Sequence, residues 1–310
     1  MRTTFIEALC EIAAEDERIW LLNGDLGYSV IERFSARFPE RSINVGVAEQ
    51  NMTGVAAGLA LCDKIVFTYS IANFPTLRCL EQIRNDVCYH NLSVKVVAIG
   101  GGLAYGAQGY THHAIEDLAI MRALPNMKVI APGDPAETRA AVRALVDSPG
   151  PCYLRLGKAG EPVVHQGSLE LTPGKAICLR EGMDAAILST GGMLKTAAEA
   201  VELCAKQGRI VALYSMPWIK PFDEELIRDL AARFALLLTV EEARASGGLG
   251  GAVAEILASE PSPRARLLRL GFEESQISNT LLHSVHTQEG ARSKLSLDAA
   301  GLARRLIANL

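Results

Sequence analysis

The stretch INVGVAEQNMTGVAAGLAL (43–61) is small or apolar almost throughout, yet it carries Glu49 with Gln50 and Asn51 beside it. A carboxyl inside a forming core can hold a heterocycle or move a proton, because burial tunes its proton affinity. It also has a plainer use. After the turn-like Asn44-Val45-Gly46, Glu49 falls in a first helical turn, where the dipole favours an acid by about 0.3–1 kcal/mol. Met52, Val55, Ala56 and Leu59 then form one apolar face at helical spacing. The small residues from 54 to 60 let another backbone approach closely, which suggests tight self-association. Pattern alone leaves both uses of Glu49 open.

Other chemistry-bearing groups are fewer. His112-His113 lies in GAQGYTHHAIEDL, and imidazole titrates in the range needed to shuttle a proton. Adjacent residues do not share a helix face, and only Glu116 and Asp117 stand near, so no metal site is expected there. GGLGG (247–251), ahead of an apolar helix, has the composition of a phosphate cradle but lacks the Walker lysine and the dinucleotide fingerprint. It reads more simply as a tight turn with close helix packing, and Asp25 and Asp134 as turn or cap residues. There is no G-x-S-x-G and no H-E-x-x-H, and Ser70 and Ser246 have no evident base nearby. Nothing selects a nucleophile.

Positioning these groups falls to an alternating pattern. RIWLLNGD (18–25), DKIVFTYS (63–70), VKVVAIGGG (94–102), MKVIAPGDP (127–135) and PCYLRLG (151–157) read as strands. Periodic segments at 112–124 and 135–147 separate some of them, predicting a largely parallel sheet covered by helices. Several strands end in Gly-Asp or Gly-Gly, at the carboxyl edge where open α/β sheets bind ligands. HQGSLELTPGKAI (165–177) breaks the rhythm as a linker or opening hairpin. A second cycle follows, with strands at 185–192, 209–217, 235–242 and 265–272 and helices at 193–207, 223–234 and 246–259. The expected organisation is two α/β domains, 1–165 and 181–310, joined by a linker at 166–180.

Composition sets the outer limits. The 310 residues are 49% apolar and 21% charged, with a formal charge of −4 and no basic block, which argues against nucleic acid or an anionic membrane as the main partner. Seven scattered cysteines without a C-x-x-C suggest reduced, mostly buried thiols and a cytoplasmic location. MRTTFIEALC has no apolar core with a cleavage site, and no uncharged run approaches the roughly 18 residues of a membrane helix.

GVAEQNM, the aromatic segment FTYSIANF, and THHAIEDLAIMRALPNMKVIAPGDPAE together resemble the transketolase family. YLRLGKAG, STGG, YSMPWIKPFD and TVEEARASGGLGGAVAE continue the likeness in order, so it spans essentially the whole chain. The part represented is the pyrimidine-binding and C-terminal domains, which deoxyxylulose-phosphate synthase and the β-subunits of 2-oxo-acid dehydrogenases share. The family grips the thiamine diphosphate tail and Mg²⁺ through a G-D-G motif with a downstream Asn, and neither Gly24-Asp25 nor Gly133-Asp134 opens one. The resemblance therefore implies the C-terminal subunit of a split transketolase, with diphosphate and metal held by an N-terminal partner subunit. A homodimer of this chain would form the core of an α2β2 heterotetramer.

The resemblance also implies roles. Glu49 becomes the acid that hydrogen-bonds the aminopyrimidine ring, favouring the imino tautomer that removes the thiazolium proton. Burial is expected to outweigh the helix N-terminus and raise its pKa. Phe74 stacks on the pyrimidine, worth about 0.5–1.5 kcal/mol beyond area burial. Ile71 and Leu77 stand where aromatics are usual, and Asp25, in GDL, contacts the cofactor or the partner's loop. His112 meets the sugar, polarising the donor carbonyl or shuttling a proton; His113 is an outward or supporting neighbour. Arg2, Ser29 and Lys158 gather at the sugar phosphate, with Lys158 replacing an arginine. Gly100 replaces a histidine, and Gln108 an aspartate that meets the donor's hydroxyl. Glu241, Glu242 and the 246–251 turn are read as structural. The implied reaction is transfer of a two-carbon ketol unit from a ketose to an aldose. The rivals are a 2-oxo-acid-decarboxylating or deoxyxylulose-phosphate-synthase-like component and a non-catalytic scaffold subunit.

Overall fold

Strands that are apolar on both faces must be covered on both faces, and IWLLN, IVFTYSI, VKVVAI and CYLRL are of that kind. The computed structural model describes residues 1–261, 265–281 and 286–310. α1 (Arg2–Ala13) leads into β1 (Ile19–Asn23), α2 (Glu32–Arg37), β2 (Ser42–Asn44), α3 (Glu49–Leu61) and β3 (Ile65–Ile71). α4 (Leu80–Gln82) runs on as a π-helical segment, Ile83–Cys88, before β4 (Val94–Ile99). α5 (Asp117–Ala123), β5 (Lys128–Ile130), α6 (Pro135–Val146) and β6 (Cys152–Leu156) follow.

The second unit begins with β7 (Ile177–Arg180), β8 (Ala185–Ser189), α7 (Leu194–Ala205), β9 (Val211–Ser215) and β10 (Trp218–Lys220). It continues with α8 (Glu224–Arg233), β11 (Leu236–Arg244), α9 (Leu249–Ser259) and β12 (Arg266–Phe272), then α10 (Glu274–Gln276), α11 (Gln288–Lys294) and α12 (Ala299–Ile307).

The first sheet runs β10-β5-β6-β4-β3-β1-β2 and the second β12-β11-β8-β9-β7. Every pairing is parallel except β10 on β5 and β7 on β9. The carboxyl ends of β1, β3 and β4 therefore lie along one edge, and the chain leaves them at Gly24, Ala72 and Gly100. β2 ends at the same edge and delivers α3, which opens with Glu49. Fold and candidate residues thus converge on one rim.

Three expectations need correcting. The helix expected over 112–124 begins at Asp117, because Tyr110–His112 is a separate 3-10 turn. The linker expected over 166–180 ends in a strand, β7, which pairs with β9. Two strands, β2 and β10, have no counterpart in the sequence reading. β10 follows β9 of the second unit yet hydrogen-bonds to β5 of the first, with Trp218 buried. The second unit therefore completes the first sheet.

A buried cluster pins the exit from the first unit. Asp134 caps α6 by accepting from the Glu137 amide at 2.8 Å, and its other oxygen accepts from the amides of Val164 and His165 at 2.8 Å. The His165 ring lies 3.2 Å from Asp134 Oδ2 and 3.4 Å from Glu137 Oε1. Burial works against the charged imidazole, but these carboxylates prevail and raise its pKa above the ordinary value. A base with a raised folded pKa contributes stability that is complete below its unfolded pKa of about 6.5 and lost as pH rises through the folded value. His165→Gln should therefore lower the melting temperature more at pH 6 than at pH 9. Equal losses at the two pH values would mean that the imidazole charge contributes nothing.

Candidate active site

Glu49 is 1% exposed. No side chain caps α3, so its carboxylate is free to face the rim. There Oε1 accepts from Ser70 Oγ at 3.3 Å, and Oε2 meets Arg78 Nη1 at 2.6 Å. Gly24, where β1 ends, packs beside it; a Cβ built there would sit 3.5 Å from Glu49 Oε1. The expected burial is present, and the carboxylate has a cationic partner.

That partner is the residue the sequence reading missed. Arg78 follows β3 in the same turn-rich segment as Phe74, and its guanidinium lies 4.8 Å from the Phe74 ring centroid. A flat, delocalised cation therefore stacks on Phe74 while hydrogen-bonding Glu49. Those are the two contacts expected of an aminopyrimidine. The pair of groups, a buried carboxylate and an aromatic face, fits a planar nitrogen heterocycle. A signal for Arg78 did exist in the sequence: it is the one cation in SIANFPTLRCLEQ.

His112 joins the same group. Its half-buried ring meets Phe74 edge-on at 5.3 Å between centroids, and Thr111 Oγ1 lies 3.0 Å from its Nδ1. On its other side Tyr105 approaches at 6.4 Å, with Lys158 Nζ 5.1 Å from the Tyr105 centroid. Tyr105 also lines a cavity of about 170 Å³ with Arg2, Tyr69 and Ile71. Among the described residues, the buried Nε of Arg2 has no hydrogen-bond partner. Glu49, Phe74 and His112 are thus linked by contact to Ile71, Arg2 and Lys158.

The remaining candidates stand apart. Leu77 is 45% exposed, so it does not extend the Phe74 wall inward. Asp25 is exposed at φ +57 and bonded to the Asn44 amide at 3.0 Å, in a separate cleft of about 230 Å³. Ser29 is exposed, its amide held by Glu32 Oε1, and Gln108 is exposed in a 3-10 turn. His113 does not face outward. It is 5% exposed, and burial lowers its pKa against a hydrogen bond with the Gly106 backbone. Among the described residues no group of three or more His, Cys, Asp or Glu is placed to hold a metal.

The structural reading of Glu241 and Glu242 gains detail. Glu241 accepts from the amides of Leu249 and Gly250 at 2.9 and 2.8 Å, so a carboxylate already fills the start of α9. Burial pushes its pKa up to about 7 against those amides. Glu242 accepts from the Leu103 amide at 2.8 Å, from Gln288 and from Arg292. Arg155, buried and paired with Asp117 at 2.7 Å, donates to the carbonyls of Ala114 and Glu242. The second unit thereby holds both ends of the loop that carries Tyr105, Gln108 and His112: Glu242 takes the Leu103 amide, and the Arg244 amide donates to the Ile115 carbonyl at 2.8 Å.

Arg78→Ala strands a buried carboxylate and should cost about 1–3 kcal/mol of stability. In a Glu49→Gln background the same change should cost clearly less. Denaturant titrations of the four proteins check this, and additive losses would show that the two groups do not interact.

Comparison with known proteins identifies the family. Residues 1–160 match the family model described as transketolase, pyrimidine binding domain, and residues 174–284 that of the transketolase C-terminal domain. A putative transketolase C-terminal section of Methanocaldococcus jannaschii is 40% identical over 88% of this chain and 86% of its own. The 6-deoxy-6-sulfo-D-fructose transketolase subunit SqwH of Clostridium sp. is 41% identical over 86% and 84%. A solved split gene transketolase, described as an inactive beta4 tetramer, superposes with a TM-score of 0.87 at 36% identity, covering 99% and 96% of the two chains. With both domains matched and the relatives aligned over most of their lengths, this chain belongs to the transketolase family.

Proposed function

We propose that this chain is the C-terminal subunit of a two-component, thiamine-diphosphate-dependent transketolase that moves a two-carbon ketol unit from a ketose to an aldose. The observation that carries this reading is the Arg78 guanidinium, held between Glu49 and Phe74 where a planar heterocycle fits. When bound, the cofactor supplies the carbanion chemistry. The protein's own part is to hold and tune. Glu49 shares a proton with the ring once Arg78 has swung aside, and Arg78, with its side chain 45% exposed, has room to do so. Phe74 holds the plane of the ring, and His112, edge-on to Phe74, presents an imidazole to the donor carbonyl. Arg2 and Lys158 take an anionic end of the sugar; the unpartnered Arg2 Nε supports this. Ile71 walls the same cavity, while Asp25, Ser29 and Gln108 border the rim where the partner or substrate closes over it.

The diphosphate and Mg²⁺ fall to a partner subunit, since this sequence has no G-D-G motif. Self-association through α3 is supported by its outer face: Gly54, Gly58 and Leu61 are exposed, and a Cβ built on either glycine would meet nothing within 4 Å. An α2β2 heterotetramer with active sites between unlike chains follows. No helix among the described residues is long and apolar enough to cross a membrane, and we place the enzyme in the cytoplasm on its composition and reduced thiols.

One other reading has a specific observation behind it. The 1-deoxy-D-xylulose-5-phosphate synthase 1 of Geobacter metallireducens is 35% identical over 97% of this chain, which spans 48% of that protein. The two are separated by mixing the chain with its partner, thiamine diphosphate and Mg²⁺, then offering either a ketose phosphate with an aldose or pyruvate with an aldose phosphate. Ketol transfer is the expected outcome, and CO2 release from pyruvate would favour the alternative. Glu49→Ala should cut turnover at least about a hundredfold while the subunits still co-elute. Unchanged turnover would support a scaffold role instead.

A further inference from the structure

Gly100 leaves β4 at φ +77, and a Cβ built on it would lie 2.1 Å from Tyr105 Cε2. No side chain fits there, so the missing Cβ is what admits the Tyr105 ring. The ring fills space that a bulkier residue at 100 would claim, and three neighbours define what it faces. His112 stands on one side and Lys158 Nζ over the ring, while the small cavity it shares with Arg2, Tyr69 and Ile71 opens beside it. The phenol is half-buried; burial raises its pKa, with Arg2 near enough to pull against the rise. It is therefore a protonated hydroxyl, and no hydrogen bond among the described residues uses it.

We propose that Tyr105 selects the donor: its O–H donates to a hydroxyl in the polyol chain of the ketose, between the carbonyl end at His112 and the anionic end at Arg2 and Lys158. The substrate class this implies is a ketose with a free hydroxyl between its carbonyl and an anionic terminus. A two-carbon donor with no such chain has nothing for the phenol to hold. This assignment rests on the two-carbon-transfer reading above.

Tyr105→Phe isolates the hydroxyl, because it keeps the fit against Gly100 and the ring beneath Lys158. The assembled complex is assayed with fructose 6-phosphate and with hydroxypyruvate, which offers the same two-carbon unit without a sugar chain. The ratio of kcat/KM for the ketose to that for hydroxypyruvate should fall about fivefold, mainly through KM, as expected for one neutral hydrogen bond. Calorimetric titration of fructose 6-phosphate into the complex without thiamine diphosphate should show a similar loss of affinity. An active wild type whose Tyr105→Phe variant keeps both its donor ratio and its affinity overturns this assignment alone. A wild-type complex inactive on both donors overturns the two-carbon-transfer reading and this assignment with it.

Discussion

A carboxylate taken out of water must be paired or hydrogen-bonded, and this fold does both for Glu49 at the first turn of α3. The rest of the site is arranged around that constraint. β3 brings Ser70 beneath the carboxylate and then turns so that Phe74 and Arg78 close over it. Gly24, at the end of β1, packs beside it. The Glu49–Arg78 pair joins a fully buried group to a half-exposed one, so the arginine can move into solvent while the carboxylate it leaves needs a replacement partner. A pair buried on both sides would resist such exchange far more strongly.

Among the described residues the second unit contributes no group hydrogen-bonded to this carboxylate, yet it anchors the opposite wall. Glu242, on β11, holds the Leu103 amide, and Arg155 bridges Asp117, Ala114 and the Glu242 carbonyl. The loop between those anchors carries Tyr105, Gln108 and His112. β10 adds a strand to the first sheet, so the two units share hydrogen bonds as well as packed surface. This buried network anchors the loop on which His112 stands.

Much of this was legible in the sequence. Glu49 stood out because a charge in a small, apolar run is locally inconsistent, and such inconsistencies mark function. The long strands were visible as apolar runs, and the boundaries of α6, α7, α8 and β12 fall within a few residues of the periodic segments. β2 and β10 were not, since three residues are too few to show a period and β10 takes its partner from the other unit. Arg78 was missed because its bond to Glu49 spans 29 positions and no spacing rule connects them. Tyr105 was missed for a related reason. The loss of a side chain at Gly100 was plain, but the ring that fills the space enters from five residues further on. Of the two places expected for His113, outward or supporting, the outward one fails: the 3-10 turn ends at His112 and the next side chain is buried.

Whether Glu49 exchanges Arg78 for the pyrimidine ring of thiamine diphosphate is decided by a crystal structure of this chain assembled with its diphosphate-binding partner and the cofactor. The expected result is a ring nitrogen within hydrogen-bond distance of the Glu49 carboxylate, the ring stacked on Phe74, and Arg78 displaced. A cofactor bound elsewhere, with the arginine still seated on Glu49, would contradict it.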